Sequence, residues 1–166
     1  PRPCGGVRPR HSARALASPG ATARVRPNAG CCRVDTALRV PRVDPATWKL
    51  DVKGMVAHPL TFTYDELLAM PLYEQFVTIA CVSNRVGEHL VGNALWTGVR
   101  LKDVLEAAGV QPGATQIVGR SVDGFTVGFP TAWAMAPERE PMIAVGMNRE
   151  PLPADHGFPA RRLVPH

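Results

Sequence analysis

The chain has 166 residues and is 45% hydrophobic, enough for one domain with its own core, and no run of about 18 apolar residues offers a membrane-crossing helix. Its formal charge of +5 is concentrated in residues 1–32, which hold six arginines and no acid. The other 13 Lys and Arg face all 14 Asp and Glu, about −1 net, so the body has no basic excess with which to grip nucleic-acid phosphates.

Residues 1–32 are rich in Arg, Pro, Ala and Gly, with one Leu and two Val as their only large apolar residues. So little apolar surface does not offset chain entropy, and a disordered basic tail is expected there. The tail has arginines but no apolar stretch behind them, so it does not read as a signal peptide or a twin-arginine signal. Of the four cysteines, Cys4, Cys31 and Cys32 lie in or beside the tail. No CxxC spacing occurs, which argues against a zinc knuckle.

Order is expected from Arg33, and residues 33–166 are read as one domain. Trp48–Val56 alternates apolar and polar, as a half-buried strand does. Thr63-x-x-Glu66 is a capping box that opens a short helix over Tyr64–Ala69, with Pro71 just beyond. Gln75–Cys81 reads as a strand buried on both faces, and Val82–Asn93 as a long polar loop. Leu101, Val104, Leu105 and Ala108 fall at helical spacing before Gly109. Thr115–Ser121 and Phe125–Phe129 read as a hairpin turning at Asp123-Gly124. Thr131 is expected to cap a short helical turn. Met142–Met147 is a strand, Asn148-Arg149 a turn, Leu152–Arg161 a structured loop, and Arg162–Val164 the start of a last strand. Few and brief helices among strands predict an α+β fold with mixed or antiparallel sheets.

Several residues could carry chemistry. Cys81 closes an apolar strand and opens a polar turn, where a single ligand can be exposed. Its thiolate suits a thiophilic metal, although a lone strand cysteine is more often a small hydrophobe. Arg85 would help to keep the thiol ionised. His156 and Arg161 stand five positions apart in a loop stiffened by two prolines and a glycine. A guanidinium binds phosphate bidentately, and an imidazole adds a donor. Asp123 reads first as a turn residue. Trp96, Met135, Met142 and Met147 read as core. No GxGxxG, Walker, nucleophile-elbow or HExxH pattern is present.

Taken in order, these segments resemble the molybdopterin-binding domain of the sulfite oxidase family, bacterial subgroup. The resemblance rests on Phe76–Cys81 followed by Ser83-Asn84-Arg85, on Gly92–Gly98, on Asp123–Thr126, and on Met147–Arg161 with its Asp155-His156-Gly157-Phe158-Pro159-Ala160-Arg161. It implies an α+β domain of mixed β-sheets cupping a molybdenum–molybdopterin cofactor, with Cys81 as the metal ligand. It further implies cofactor contacts from Ser121 or Asp123 and from His156 and Arg161. Arg33, in the lead-in Arg33–Pro41, would reach the site and help to bind an anionic substrate. The implied chemistry is two-electron oxygen-atom transfer, either sulfite oxidation or sulfoxide reduction. No CxxCH haem motif is present, so a separate cytochrome or quinone-linked partner would exchange the electrons. Family members continue beyond this chain's end with a glycine-rich turn, a Lys-Trp segment and often an immunoglobulin-like domain. A C-terminally truncated member with weakened cofactor affinity is therefore expected. The competing expectation is a non-catalytic remnant or interaction module that binds no cofactor. Arg162, where the family pattern passes straight into an apolar strand, is expected to disturb that strand's first residue.

Overall fold

The computed structural model describes residues 25–31, 33–35, 38–136 and 138–165. The basic tail expected over residues 1–32 thus lies mostly outside the described residues. Arg26–Cys31, expected to belong to that tail, is instead docked on the body: the Arg26 amide donates to the Asn93 carbonyl (2.9 Å), and Asn28–Gly30 forms one 3-10 turn.

A first hairpin joins β1 (Lys49–Val52) to β2 (Leu60–Thr63). The strand expected over Trp48–Val56 is cut short near Gly54, whose positive φ of 104° breaks the alternation. Helix α1 (Tyr64–Ala69) begins as the sequence predicts. The Thr63 hydroxyl accepts from the Glu66 amide, and the Glu66 carboxylate accepts from the Thr63 amide.

The main sheet runs in the order β3 (Tyr73–Ala80), β4 (Val91–Arg100), β7 (Met142–Met147), β8 (Glu150–Pro151), and β9 (Arg161–Leu163) also pairs with β7. A second two-stranded sheet is the hairpin of β5 (Gln116–Arg120) and β6 (Thr126–Pro130). Every strand pair among the described residues is antiparallel. Helix α2 (Leu101–Ala108) buries Leu101, Val104, Leu105 and Ala108 and stops at Gly109 in the left-handed region. Helix α3 is Thr131–Met135, with Pro130 at its N-cap.

Three expectations need correction. β3 is an edge strand, not one buried on both faces: Val77 is buried while Phe76 is 47% exposed. An edge strand has one face and one edge open to solvent. The loop after Cys81 ends at Leu90, and Val91–Arg100 is a ten-residue strand whose inner positions are Gly92, Ala94, Trp96 and Gly98. Small residues on that inner face hid its period of two. Thr131 is the first helical residue rather than the cap, and its buried hydroxyl finds no hydrogen-bond partner among the described residues.

The core is two adjoining clusters. One packs Leu67, Val99, Val104, Leu105 and Phe129 around Ile143. The other packs Val77, Ala94, Trp96, Met142, Met147, Leu152 and Leu163. All six residues of β7 are buried, so it is the sheet's central strand. Gly98 of β4 lies against β7 beside a break in the pairing register. A Cβ there would run into the Ile143 carbonyl oxygen and lie 2.7 Å from the Ala144 Cα. Gly98→Ala is therefore expected to destabilise the fold by about 1–3 kcal/mol, as overpacking does. A urea midpoint equal to that of the parent would show that the two strands can part freely at this point.

Candidate functional site

Cys81 follows the last residue of β3, at the neck of the loop over residues 81–90. Its amide donates to the Leu90 carbonyl (2.9 Å), and its carbonyl accepts from the Asn84 amide (2.9 Å). The Asn84 side chain accepts from the Leu90 amide (2.8 Å), so Asn84 closes the loop on itself. Cys81 is half-buried as a residue, and its sulfur is free of any disulfide and 3.1 Å from the Ser83 hydroxyl. The Ser83 hydroxyl, and then the Ser83 and Val82 amides, lower the thiol's pKa from its ordinary value by hydrogen bonding to the sulfur. Local donors do what the sequence assigns to Arg85, whose own amide is bound to the Glu88 carboxylate (3.2 Å).

His156 ends the 3-10 turn Ala154–His156 and is only 5% exposed. Its Nε2 lies 2.8 Å from the Asn28 backbone oxygen. Arg161 opens β9: its Nη1 donates to the His156 carbonyl (3.3 Å), and its guanidinium carbon sits 5.7 Å from the centre of the Trp96 ring. The Trp96 indole donates to the Val77 carbonyl on β3 (3.2 Å). Val77–Ala80 and Arg161–Val164 together line a cavity of about 210 Å³. The end of β3 before Cys81 and Arg161 at the start of β9 thus border one space.

Arg33 is near this group through a carboxylate. Its guanidinium pairs with Asp155 (2.9 Å), the residue before His156, and with Asp35 (2.6 Å). The hydrogen bond to Asp35 and the charges of both acids raise its pKa further. Ser121 and Asp123 lie elsewhere in the topology, in the exposed turn of the β5–β6 hairpin, on a sheet separate from β3 and β9. The Asp123 carboxylate accepts from the Phe125 amide (3.1 Å), the local bond of an Asx turn.

Arg162 does not disturb β9. It pairs with Ile143 in register, lays its guanidinium 5.0 Å from the centre of the Phe129 ring, and donates to the Val127 carbonyl (2.7 Å). Gly119 leaves the room: a Cβ there would sit 2.6 Å from the Arg162 guanidinium carbon. Arg162 thereby ties the β5–β6 hairpin to the main sheet.

Two asparagines escape sequence reasoning. Asn148 and Arg149 take φ of 53° and 66°, the left-handed pair of a tight hairpin turn between β7 and β8. The Asn148 side chain accepts from the Leu95 amide (3.0 Å) and donates to the Arg26 carbonyl (2.8 Å) and the Asn28 side-chain oxygen (2.8 Å). The Asn28 side chain in turn donates to the Met147 carbonyl (3.1 Å) and the Glu150 carboxylate (2.9 Å). Asn148 could have been singled out by its turn chemistry; Asn28 carries no local signal.

Comparison with known proteins places these features. The model of the oxidoreductase molybdopterin binding domain matches residues 37–166. Human mitochondrial sulfite oxidase is 37% identical over 151 residues, covering 77% of this chain and 28% of the relative. Nitrate reductase [NADH] 1 of Oryza sativa subsp. japonica is 35% identical over 152 residues, covering 76% of this chain and 17% of the relative. The chain therefore spans less than a third of the length of these relatives. Among solved structures, the sulfane dehydrogenase SoxCD from Paracoccus pantotrophus superposes with a TM-score of 0.78 at 23% identity, over 96% of this chain and 46% of that one, a likeness of fold. Arg33 precedes the matched region, whereas Cys81, Ser121, Asp123, His156 and Arg161 fall within it. With the match spanning most of the chain, this chain belongs to the oxidoreductase molybdopterin binding domain family.

Proposed function

We propose that this domain holds the cofactor of a molybdenum-dependent oxidoreductase of sulfite oxidase type, with Cys81 as the protein's ligand to the metal. The observation that carries the reading is the Cys81 sulfur itself, set at a strand end beneath three donors that favour its thiolate. The strand residues just before it, Val77–Ala80, line a cavity that Arg161 also borders. Among the described residues no three His, Cys, Asp or Glu side chains gather as a metal cage. One soft sulfur and a nearby guanidinium suit a metal whose other ligands arrive with an anionic organic cofactor. When bound, the molybdenum cofactor would supply two-electron oxygen-atom transfer, with sulfite oxidation or sulfoxide reduction as the two directions.

Each residue has a part in this reading. Ser83 and the two amides keep the Cys81 sulfur in its ligating form. Arg161, held in place by Trp96 and the His156 carbonyl, offers its fork to the cofactor phosphate. His156 is buried and engaged on one ring nitrogen, and it contributes through the other. Ser121 and Asp123 would reach the cofactor from the hairpin turn. Arg33 would help to bind an anionic substrate only by exchanging one of its two carboxylates for that anion. A cytochrome or quinone-linked partner would carry the electrons.

The test is the metal and pterin content of protein purified from a host that makes the cofactor. The parent is expected to carry near-stoichiometric molybdenum and Cys81→Ser to lose it. A folded parent without molybdenum would sink the reading and leave a domain that keeps the fold and binds no cofactor. The thiol can be tested without any metal. Alkylation of Cys81 in the cofactor-free protein, followed by peptide mass spectrometry, should reach half-maximal rate at a pH below that of an ordinary thiol. Ser83→Ala should move this midpoint upward. The sign follows from linkage: with a lowered folded-state pKa, the ionised thiol favours folding above the unfolded thiol's pKa, and that contribution is lost as pH falls through the folded one. A midpoint that Ser83→Ala leaves in place would show that the hydroxyl does not act on the sulfur.

A further inference from the structure

Residues 26–31 form a strap across three separate parts of the body. The Arg26 amide reaches Asn93 at the start of β4. The Asn28 side chain reaches Met147 and Glu150 on either side of the β7–β8 turn. The Asn28 carbonyl meets His156, 2.8 Å from Nε2. Arg33, two residues past the strap, pairs with Asp155 in the same turn as His156.

The contact with His156 has a chemical consequence. A backbone carbonyl can only accept, so the Nε2 atom facing Asn28 must carry a proton and donate. In the neutral ring the proton is then absent from Nδ1, and Nδ1 is an acceptor. A neutral His156 held in this way cannot donate to a phosphate. It can only receive an N–H or O–H from a ligand.

We propose that Asn28 is a positioning residue of the cofactor site: through its carbonyl the strap fixes His156 as the Nε2–H tautomer, so that Nδ1 accepts from the N–H groups of a pterin while Arg161 alone takes the phosphate. The proposal rests on the cofactor-binding reading above and refines it. It also assigns to the segment before residue 37, outside the family match, a part in shaping a site that lies within it. Second-shell partners that fix a histidine tautomer commonly govern how well the ring serves its ligand.

Asn148→Asp offers a mild way to release the strap. The carboxylate still accepts from the Leu95 amide, and Asp tolerates the left-handed φ of the turn, so the hairpin keeps its shape. The variant loses both donations to Arg26 and Asn28. In the full-length, cofactor-free protein, nitrogen-15 NMR of the imidazoles should show for the parent a His156 proton on Nε2 that exchanges slowly with water. In Asn148→Asp that proton should exchange freely while thermal unfolding still shows a folded domain. Purified from the cofactor-making host, the variant should carry about tenfold less pterin than the parent, the scale on which lost second-shell contacts act. A parent ring protonated on Nδ1, or a parent Nε2 proton that exchanges as fast as the variant's, overturns the inference. So does a variant that loses the protected proton yet keeps the parent's pterin. A parent that shows the protected proton but carries no pterin overturns the cofactor reading, and the ligand half of this inference falls with it.

Discussion

Trp96 joins three strands and one cation. Its backbone on β4 pairs with Gln75 of β3 on one side and Met147 of β7 on the other, and its indole donates back to the Val77 carbonyl. The side chain is 2% exposed. A buried indole N–H without a partner costs about 1–3 kcal/mol, so the Val77 carbonyl is a condition for placing tryptophan here. Its outer neighbour is the Arg161 guanidinium, which takes the ring as a platform. The same ring thus holds the last stretch of strand before Cys81 and the cation across the cavity. A shift of Trp96 would move both flanks of the candidate site together, and that coupling is why a thin edge strand can hold its terminal cysteine in a defined place.

The charges around the site are mostly matched. Arg33 is held by Asp35 and Asp155, Arg149 by Glu74, and Arg100 by Glu140. These pairs are largely solvent-exposed and contribute little to stability, roughly 0–1 kcal/mol each. Their effect is on geometry and on local potential. Arg161 has a carbonyl and an aromatic face among its contacts. Arg162, next along the strand, is turned to the other task of fastening the hairpin, and burial lowers its pKa. Two adjacent arginines with alternate directions follow from the period of two along a strand.

What was legible in the sequence follows from how local each signal is. The capping box at Thr63, the αL stop at Gly109 and the Asp123-Gly124 turn are written within four residues, and each forms as expected. β4 was missed because two of its inner positions are glycines, so the alternation lacks the large apolar residues that reveal it. Its glycine at position 98 is there for a distant reason, the approach of Ile143 and Ala144. β3 looked fully buried because Phe76, Val77 and Ile79 are apolar, yet nothing in that run tells an edge strand from a central one. Among the candidate site residues, the neighbourhood of His156 and Arg161 was visible as a stiff loop with two polar heads. That the histidine's ring would be turned to Asn28 was not, since the two are separated by 128 positions.

The strap also changes how the body and its preceding segment are divided. Composition sets the boundary near residue 33, where arginine-rich sequence gives way to alternating apolar residues. Among the described residues, hydrogen bonding carries it back to Arg26, because the strap pairs with polar groups of the body. The Asn93 carbonyl, the Asn148 amide hydrogens and the His156 ring all find partners in Arg26 and Asn28. Leaving such groups unpaired beneath a partly buried surface is costly, so the body itself selects for something in that place. Apolar content alone undercounts a domain at such an edge. A short polar segment with two asparagines can belong to the fold because its partners' need for hydrogen bonds, rather than its own hydrophobicity, holds it there.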